Sequence, residues 1–204
     1  TQCIDCIHTT ASSHGRVFIV EVMGHKVGWL TLNSGIASGA DIILLPEIPY
    51  DISKVCEAID KRHTGGKKFT ILAVAEGAIS KEMAKMDKKE RAKEMEKMLK
   101  QYPSVSYKLA DDITKKTGYE VRVTVPGHTQ RGGTPDAFDR VLSTKLGAYA
   151  AQLIEKEEYG YMVATVNNTI KKVKLEECAG KLKMVDPHDQ TVELAKSIGI
   201  SFGD

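Results

Sequence analysis

Three almost uninterrupted apolar runs constrain this chain more than any other feature. They lie at 16–22 (RVFIVEV), 40–46 (ADIILLP) and 69–75 (FTILAVA). A strand with one wet face alternates polar and apolar positions, whereas a continuous run fits a strand covered on both faces. Helical spacing fills the gaps between them. Over 28–37, Trp29, Leu30, Leu32 and Ile36 fall on or near one face, and over 50–63 the stripe is Ile52, Val55, Ala58 and Ile59. Ser38-Gly39 and Thr64-Gly65-Gly66 end the two helices. Strand–helix–strand–helix–strand with buried strands predicts an α/β fold with a doubly wound parallel sheet. Ligands of such sheets sit off the carboxyl ends of the strands. Met23, Gly24, His25 and Lys26, then Glu47, then Glu76 and Gly77 are placed there. For Glu76 the alternative is a helix-start carboxylate favoured by the dipole.

A second informative stretch is 122–140 (RVTVPGHTQRGGTPDAFDR). Val121, Val123 and Val125 alternate as a strand that Pro126-Gly127 ends. Arg122, His128 and Arg131 crowd the strand end and the loop after it. Gly132-Gly133 permits a sharp turn, and Thr134-Pro135 reads as an N-cap followed by proline at the first helical position. Two arginines and a histidine beside a glycine-rich turn suit an anion. The same residues also fit a joint with solvated cations.

Elsewhere, residues 1–10 read as the tail of a helix. Residues 80–101 read as one charged surface helix whose apolar content is Met83, Met86, Met95, Met98 and Leu99, with a partner-binding stripe as the alternative. A short helix is expected at 109–117. An amphipathic helix over 136–155 carries Phe138, Leu142, Leu146, Tyr149 and Leu153. A strand at 161–166 stops at Asn167-Asn168, a short helix covers 175–179, and a last helix covers 191–198.

The formal charge of +2 over 204 residues points to neither nucleic acid nor an anionic membrane as partner. No apolar run approaches the roughly 18 residues of a membrane span. The first residues lack a secretory pattern, so a cytoplasmic protein is expected, and the missing initiator Met hints at a truncated or processed chain. Cys3-x-x-Cys6 is the only close cysteine pair. With His8 and His14 nearby a metal stays open against free thiols, while Cys56 and Cys178 stand alone.

Several short blocks together resemble 6-phosphofructokinase, in order and over about residues 9–145. They are TASSHGR at 10–16, EVMG at 21–24, GAD at 39–41 with LPE at 45–47, AEG at 75–77, and the 122–140 stretch with its GHTQRGG core. The resemblance implies that Arg16 and Arg122 reach across a subunit interface to the 6-phosphate of fructose 6-phosphate. It implies that His128 and Arg131 bind the same substrate within one subunit, and that Met23, Gly24 and Glu76 hold the sugar. A dianionic phosphate suits arginine, which can bind two oxygens at once. Where the family usually has an arginine after Met-Gly, this chain has His25 and then Lys26, so the resemblance implies His25 as the catalytic position here. Residues aligned with the family's allosteric phosphate site are His8 and Gly65, with Lys67 and Lys68 remaining, which implies a weak or lost effector site.

The family's donor-binding and catalytic-base loops have no counterpart in these 204 residues. The chain is therefore expected to be the C-terminal part of a glycolytic enzyme that uses Mg2+ and either ATP or pyrophosphate. The lost effector cations and the tail lean towards pyrophosphate. No metal ligands are assigned within the chain. The implied organisation is a sugar-phosphate domain at 1–129, a partial segment of the larger donor-binding domain at 130–180, and a return to the small domain at 181–204. A homo-oligomer, dimer or tetramer, is implied, with the isolated fragment inactive. The alternative is a non-catalytic sugar-phosphate-binding module.

Overall fold

A computed structural model describes residues 1–13 and 15–204. His14, part of the TASSHGR block and of the open metal question, lies outside the described residues. In chain order the first elements are α1 (Gln2–Ala11), β1 (Val17–Val22), α2 (Trp29–Ala37), β2 (Ile42–Leu44), α3 (Ile52–Thr64), β3 (Thr70–Ala75), α4 (Lys81–Lys85), α5 (Lys88–Gln101), α6 (Val105–Thr117) and β4 (Val121–Thr124). A 3-10 turn (Gly127–Arg131) follows, then α7 (Ala137–Glu155), β5 (Tyr161–Val166), β6 (Thr169–Lys174), α8 (Leu175–Cys178) and α9 (Gln190–Ser197). Contacts divide the chain into two compact units, Thr1–Gln130 with Lys183–Asp204, and Arg131–Leu182.

The first unit is built on a sheet of order β2-β3-β1-β4 in which every neighbouring pair is parallel. Its strands are covered on both faces, as their unbroken apolar runs require. Phe18, Val20, Ile43, Ile71 and Ala73 point to one side, where Ile4 of α1, Leu32 of α2 and Val192 of α9 meet them. Val17, Ile19, Ile42, Leu72 and Val74 point to the other, against Val55 and Ile59 of α3 and Leu109 and Ile113 of α6. Each Val, Leu, Ile or Phe among them stabilises the fold by about 1.5–3 kcal/mol on burial.

The return segment completes this sheet. Ser201 bridges Ile42 in parallel register: the Ile43 N–H donates to the Ser201 carbonyl at 2.8 Å, and the Ser201 N–H to the Asp41 carbonyl at 3.1 Å. The free edge of β2 is thereby covered. Phe202, 1% exposed, fills the core beside it.

The expected helix over 80–101 is two helices. Asp87 opens α5 with a capping box, its side chain accepting from the Lys89 and Glu90 N–H groups while Glu90 accepts from the Asp87 N–H. Arg91 then satisfies the carbonyls of Met83, Ala84 and Met86, which closes α4. Met95 and Met98 pack on the core, and Leu99 stays half exposed. The helix expected from 109 already begins at Val105, after Ser104.

In the second unit β5 pairs antiparallel with β6, a strand that went unnoticed in the sequence. Asn167 and Asn168 have φ of 50° and 60°, the two positive values that a tight hairpin turn of the primed kind needs. The strand expected to join a larger domain's sheet pairs only with β6 among the described residues. Of the α7 stripe only Leu153 is buried, while Phe138 is 72% exposed. The hairpin is the only layer that α7 meets within this unit, and it is too small to cover the stripe. No helix among the described residues is long and apolar enough to cross a membrane.

Candidate functional site

The parallel sheet sends three connections off the carboxyl ends of β1, β2 and β3, and each delivers a carboxylate or a glycine turn to one place. A cleft of about 1010 Å3 opens there, lined among others by Glu21, His25, Lys26, Glu76, Arg91 and Met184. The loop 23–28 reaches the cleft through His25 and Lys26, and three side chains from distant parts of the chain hold that loop by its backbone. The Met23 N–H donates to Gln130 Oε1 at 3.1 Å. The Gly24 and His25 N–H groups both donate to Glu76 Oε1, at 3.2 and 2.7 Å. The Gly28 N–H donates to Glu47 Oε1 at 2.9 Å. Inside the loop the Val27 N–H donates to the Gly24 carbonyl at 3.0 Å.

The local backbone explains why the sequence reads as it does. Gly24 has φ of 158°, and His25 sits at φ of 56°, in the left-handed region that a non-glycine residue adopts only when its surroundings impose it. Glu76 imposes it here by taking two successive N–H groups on one oxygen. Gly77 permits the close approach, because a Cβ there would stand 2.0 Å from the His25 carbonyl oxygen. Glu76 Oε2 takes no hydrogen bond among the described residues and lines the cleft with its residue.

Glu47 serves a second segment. Its Oε1 also accepts from the Val185 N–H at 3.0 Å, and the Trp29 indole donates to the Lys183 carbonyl at 2.8 Å. The returning chain at 183–185 is thus fastened beside the loop 23–28, and Met184 reaches the cleft wall. Glu21, 7% exposed on β1, accepts from the Ser104 hydroxyl at 2.5 Å and the Ser106 N–H at 3.3 Å, which ties the start of α6 to the same end of the sheet.

The expected site residues fall into two groups. Met23, Gly24, His25 and Glu76 lie together off the ends of β1 and β3, with His25 and Glu76 lining the cleft, and His128 follows β4 in the 3-10 turn, exposed. Arg131 is exposed and opens the second unit. Arg16 and Arg122 do not crowd the same strand end as His128. Arg16 precedes β1, and Arg122 pairs with Phe18 near the start of β4, so both stand towards the amino-terminal end of the sheet. The alternation of valines around Arg122 marked a strand without showing at which end of it the arginine falls.

A residue missed in the sequence joins those two arginines. Glu120 Oε2 pairs with Arg16 Nε at 2.6 Å, and Glu120 Oε1 pairs with Arg122. Hydrogen bonding to Arg16, with both guanidinium charges nearby, holds the Glu120 carboxyl below its ordinary range. One carboxylate therefore occupies the space between two arginines, as a phosphate would.

Near His8, of the residues aligned with the family's effector site, the contacts are internal to the sheet and its helices. Asp41 pairs with Arg62 at 2.7 Å and accepts from the Ile71 N–H at 2.8 Å, and the His8 ring stands edge-on to Phe69. Burial raises the Asp41 carboxyl above its usual value, against the opposing pull of the Ile71 N–H and Arg62. Among the described residues no three His, Cys, Asp or Glu side chains are grouped as a metal site. Cys3, Cys6, Cys56 and Cys178 are free thiols.

Comparison with known proteins places this geometry. Residues 1–154 match the family model described as Phosphofructokinase. The ATP-dependent 6-phosphofructokinase of Spirochaeta thermophila is 47% identical over 204 residues, 100% of this chain and 55% of that protein. The solved phosphofructokinase of Saccharomyces cerevisiae superposes with a TM-score of 0.69 at 29% identity, over 97% of this chain and 23% of its own. A pyrophosphate-dependent phosphofructokinase of Marinobacter aquaeolei gives a TM-score of 0.68 over 98% of this chain and 51% of its own, at 20% identity, which is a likeness of fold alone. The chain spans about half the length of the curated relatives it matches. A parallel sheet with Glu76 under the Met23–Gly24 loop, a family model matched through residue 154, and kinship of this closeness lead to one conclusion: the chain belongs to the phosphofructokinase family.

Proposed function

We propose that this chain supplies the sugar-phosphate site of an enzyme that moves a phosphoryl group from a donor to the 1-hydroxyl of fructose 6-phosphate. Glu76 carries this reading. One of its oxygens fixes the loop 23–25 and the other takes no hydrogen bond among the described residues, which suits a sugar hydroxyl donating to it. Met23 and Gly24 then face the sugar. His128 and Arg131 take its phosphate within the subunit, and His25 stands at the position nearest the transferred group. Arg16 and Arg122, at the other end of the sheet, serve the phosphate in a neighbouring subunit's site. That arrangement calls for a homo-oligomer, a dimer or tetramer, in the cytoplasm.

Thr1–Gln130 with Lys183–Asp204 would be the sugar-phosphate domain, and Arg131–Leu182 a segment of the donor-binding domain. The exposed Phe138, Val141 and Ile154 of α7 are the side chains that the rest of that domain would cover. The curated sequence relatives are named ATP-dependent, so ATP is the donor we favour over pyrophosphate. The base, the donor site and the Mg2+ ligands would come from outside these residues, and the 204-residue chain alone should not turn over.

Calorimetry with fructose 6-phosphate tests this on the full-length protein, alongside Glu76→Gln and Arg131→Ala. Wild type should bind, and both variants should bind at least tenfold more weakly. No heat from wild type, or unchanged affinity in both variants, would overturn the assignment. Binding without turnover by the full-length protein with ATP or pyrophosphate would instead favour a non-catalytic sugar-phosphate module.

A further inference from the structure

We infer that Gln130 is a positioning residue that makes the His128 turn and the Met23 loop move as one body. The inference rests on the sugar-phosphate reading of the cleft. Gln130 lies within the 3-10 turn Gly127–Arg131, and its side chain is bonded at both ends. Its Oε1 accepts from the Met23 N–H at 3.1 Å, across 107 residues of chain, and its Nε2 donates to the Gly127 carbonyl at 3.2 Å.

The turn does not need Gln130 in order to form. Thr129 ties it to Pro126, its hydroxyl donating to the Pro126 carbonyl at 2.7 Å and its N–H to the same carbonyl at 3.4 Å. What Gln130 adds is the link to β1. A side chain bonded at both ends here must accept at one end and donate at the other, at the reach of a three-carbon arm. A primary amide has both functions fixed in one plane. Glutamate would still accept from Met23 but would set an oxygen against the Gly127 carbonyl. Met23 is also the residue next to the pair held by Glu76. Gln130 and Glu76 therefore grip consecutive N–H groups from opposite sides of the loop, one from the β4 connection and one from the β3 connection. A ligand held at one end by His128 and at the other by the loop 23–25 would meet two surfaces already in register, which lowers the cost of ordering them on binding.

The test uses Gln130→Ala and Gln130→Glu in the full-length enzyme, with two readouts. Hydrogen exchange at the Met23 amide reads the link itself. Steady-state kinetics in fructose 6-phosphate read its use. Both variants should raise KM about tenfold, each hydrogen bond being a modest term, and change kcat less than about threefold. Gln130→Ala should also speed exchange at Met23 while leaving the midpoint of urea unfolding near wild type. Faster exchange at Met23 with an unchanged KM would overturn the inference. So would KM and kcat changing in step with a lowered unfolding midpoint, the signature of a general structural role. If wild type shows no saturation by fructose 6-phosphate, the sugar-phosphate reading fails instead, and the exchange result alone decides whether Gln130 holds Met23.

Discussion

Gly77→Ala adds one methyl group at the tightest point of the candidate site. The new Cβ would lie 2.0 Å from the His25 carbonyl oxygen, 3.2 Å from the His25 carbonyl carbon and 3.3 Å from Pro46 Cγ. The first contact is with backbone, so no side chain can rotate away to relieve it. Either the Glu76–Gly77 turn or the loop 23–28 must move by about 1 Å to restore an ordinary contact, a displacement that can cost about 10²-fold in rate when it falls on a substrate-positioning group. Both routes separate Glu76 Oε1 from the Gly24 and His25 N–H groups it holds at 3.2 and 2.7 Å. Hydrogen bonds to a charged acceptor are worth about 1.5–3 kcal/mol each, and overpacking a tight site costs about 1–3 kcal/mol. The variant should thus lose about 2–4 kcal/mol of unfolding free energy and about 10²-fold in kcat/KM for fructose 6-phosphate in the full-length enzyme. Urea titration and steady-state rates measure the two losses. A double-mutant cycle with Glu76→Gln sharpens the result, since a carboxylate already detached from the loop has less left to lose. A Gly77→Ala enzyme within about threefold of wild type in kcat/KM, with an unmoved urea midpoint and full additivity with Glu76→Gln, would refute the reasoning.

Three other outcomes are expected. Glu47→Ala should destabilise the protein by about 3 kcal/mol in urea, because the Gly28 and Val185 N–H groups lose a charged acceptor, whereas Glu47→Gln, which keeps Oε1, should recover more than half; equal losses in both variants would show that the carboxylate's charge, not its two bonds, matters. Glu120→Gln should lower the KM for fructose 6-phosphate by about two- to fivefold if the carboxylate competes with phosphate for Arg16 and Arg122, an exposed pair being weak. The sign of its pH dependence follows from the lowered folded pKa of Glu120: the pairing is present above the unfolded value of 4.5 and is lost as pH falls through the folded one, so acid should narrow the gap between wild type and variant. Asp87→Ala should fray the start of α5, with faster amide exchange at Lys89 and Glu90 and a loss of about 1 kcal/mol, and unchanged exchange there would deny the capping box its role.

The parallel sheet was legible because its cause is a pattern in adjacent residues. Phe18 and Val17 face different layers, and only a strand covered twice needs both to be apolar. The positions of Met23, Gly24, His25 and Glu76 followed from the same pattern, since ligand sites lie where such strands end. Other features depended on partners far away in sequence. Nothing near Glu47 announces Val185, and nothing near Gln130 announces Met23. Nothing near Glu120 announces Arg16, the partner that gives it meaning. The break after α4 was more accessible, for Asp87 and Glu90 stand at capping-box spacing and the run of charged residues concealed them. The β5–β6 hairpin was missed for a different reason. Asn167-Asn168 reads as the end of a strand, yet two residues that tolerate positive φ can equally turn the chain back on itself. The apolar stripe of α7 was real, but a stripe shows which face wants cover and not whether cover is at hand.

The bridge between Ser201 and Ile42 also bears on how the sheet is assembled. Its two partners are about 160 residues apart, and contacts of such long separation form late because the closure entropy must be met first. During synthesis β2 would leave the ribosome long before Ser201 and Phe202, with its outer edge open and the pocket for Phe202 empty. An open apolar edge strand invites pairing with another copy of itself. Expression with residues 200–204 deleted should therefore give aggregation rather than a soluble protein with a loosened segment, and the parallel sheet would be the part that aggregates.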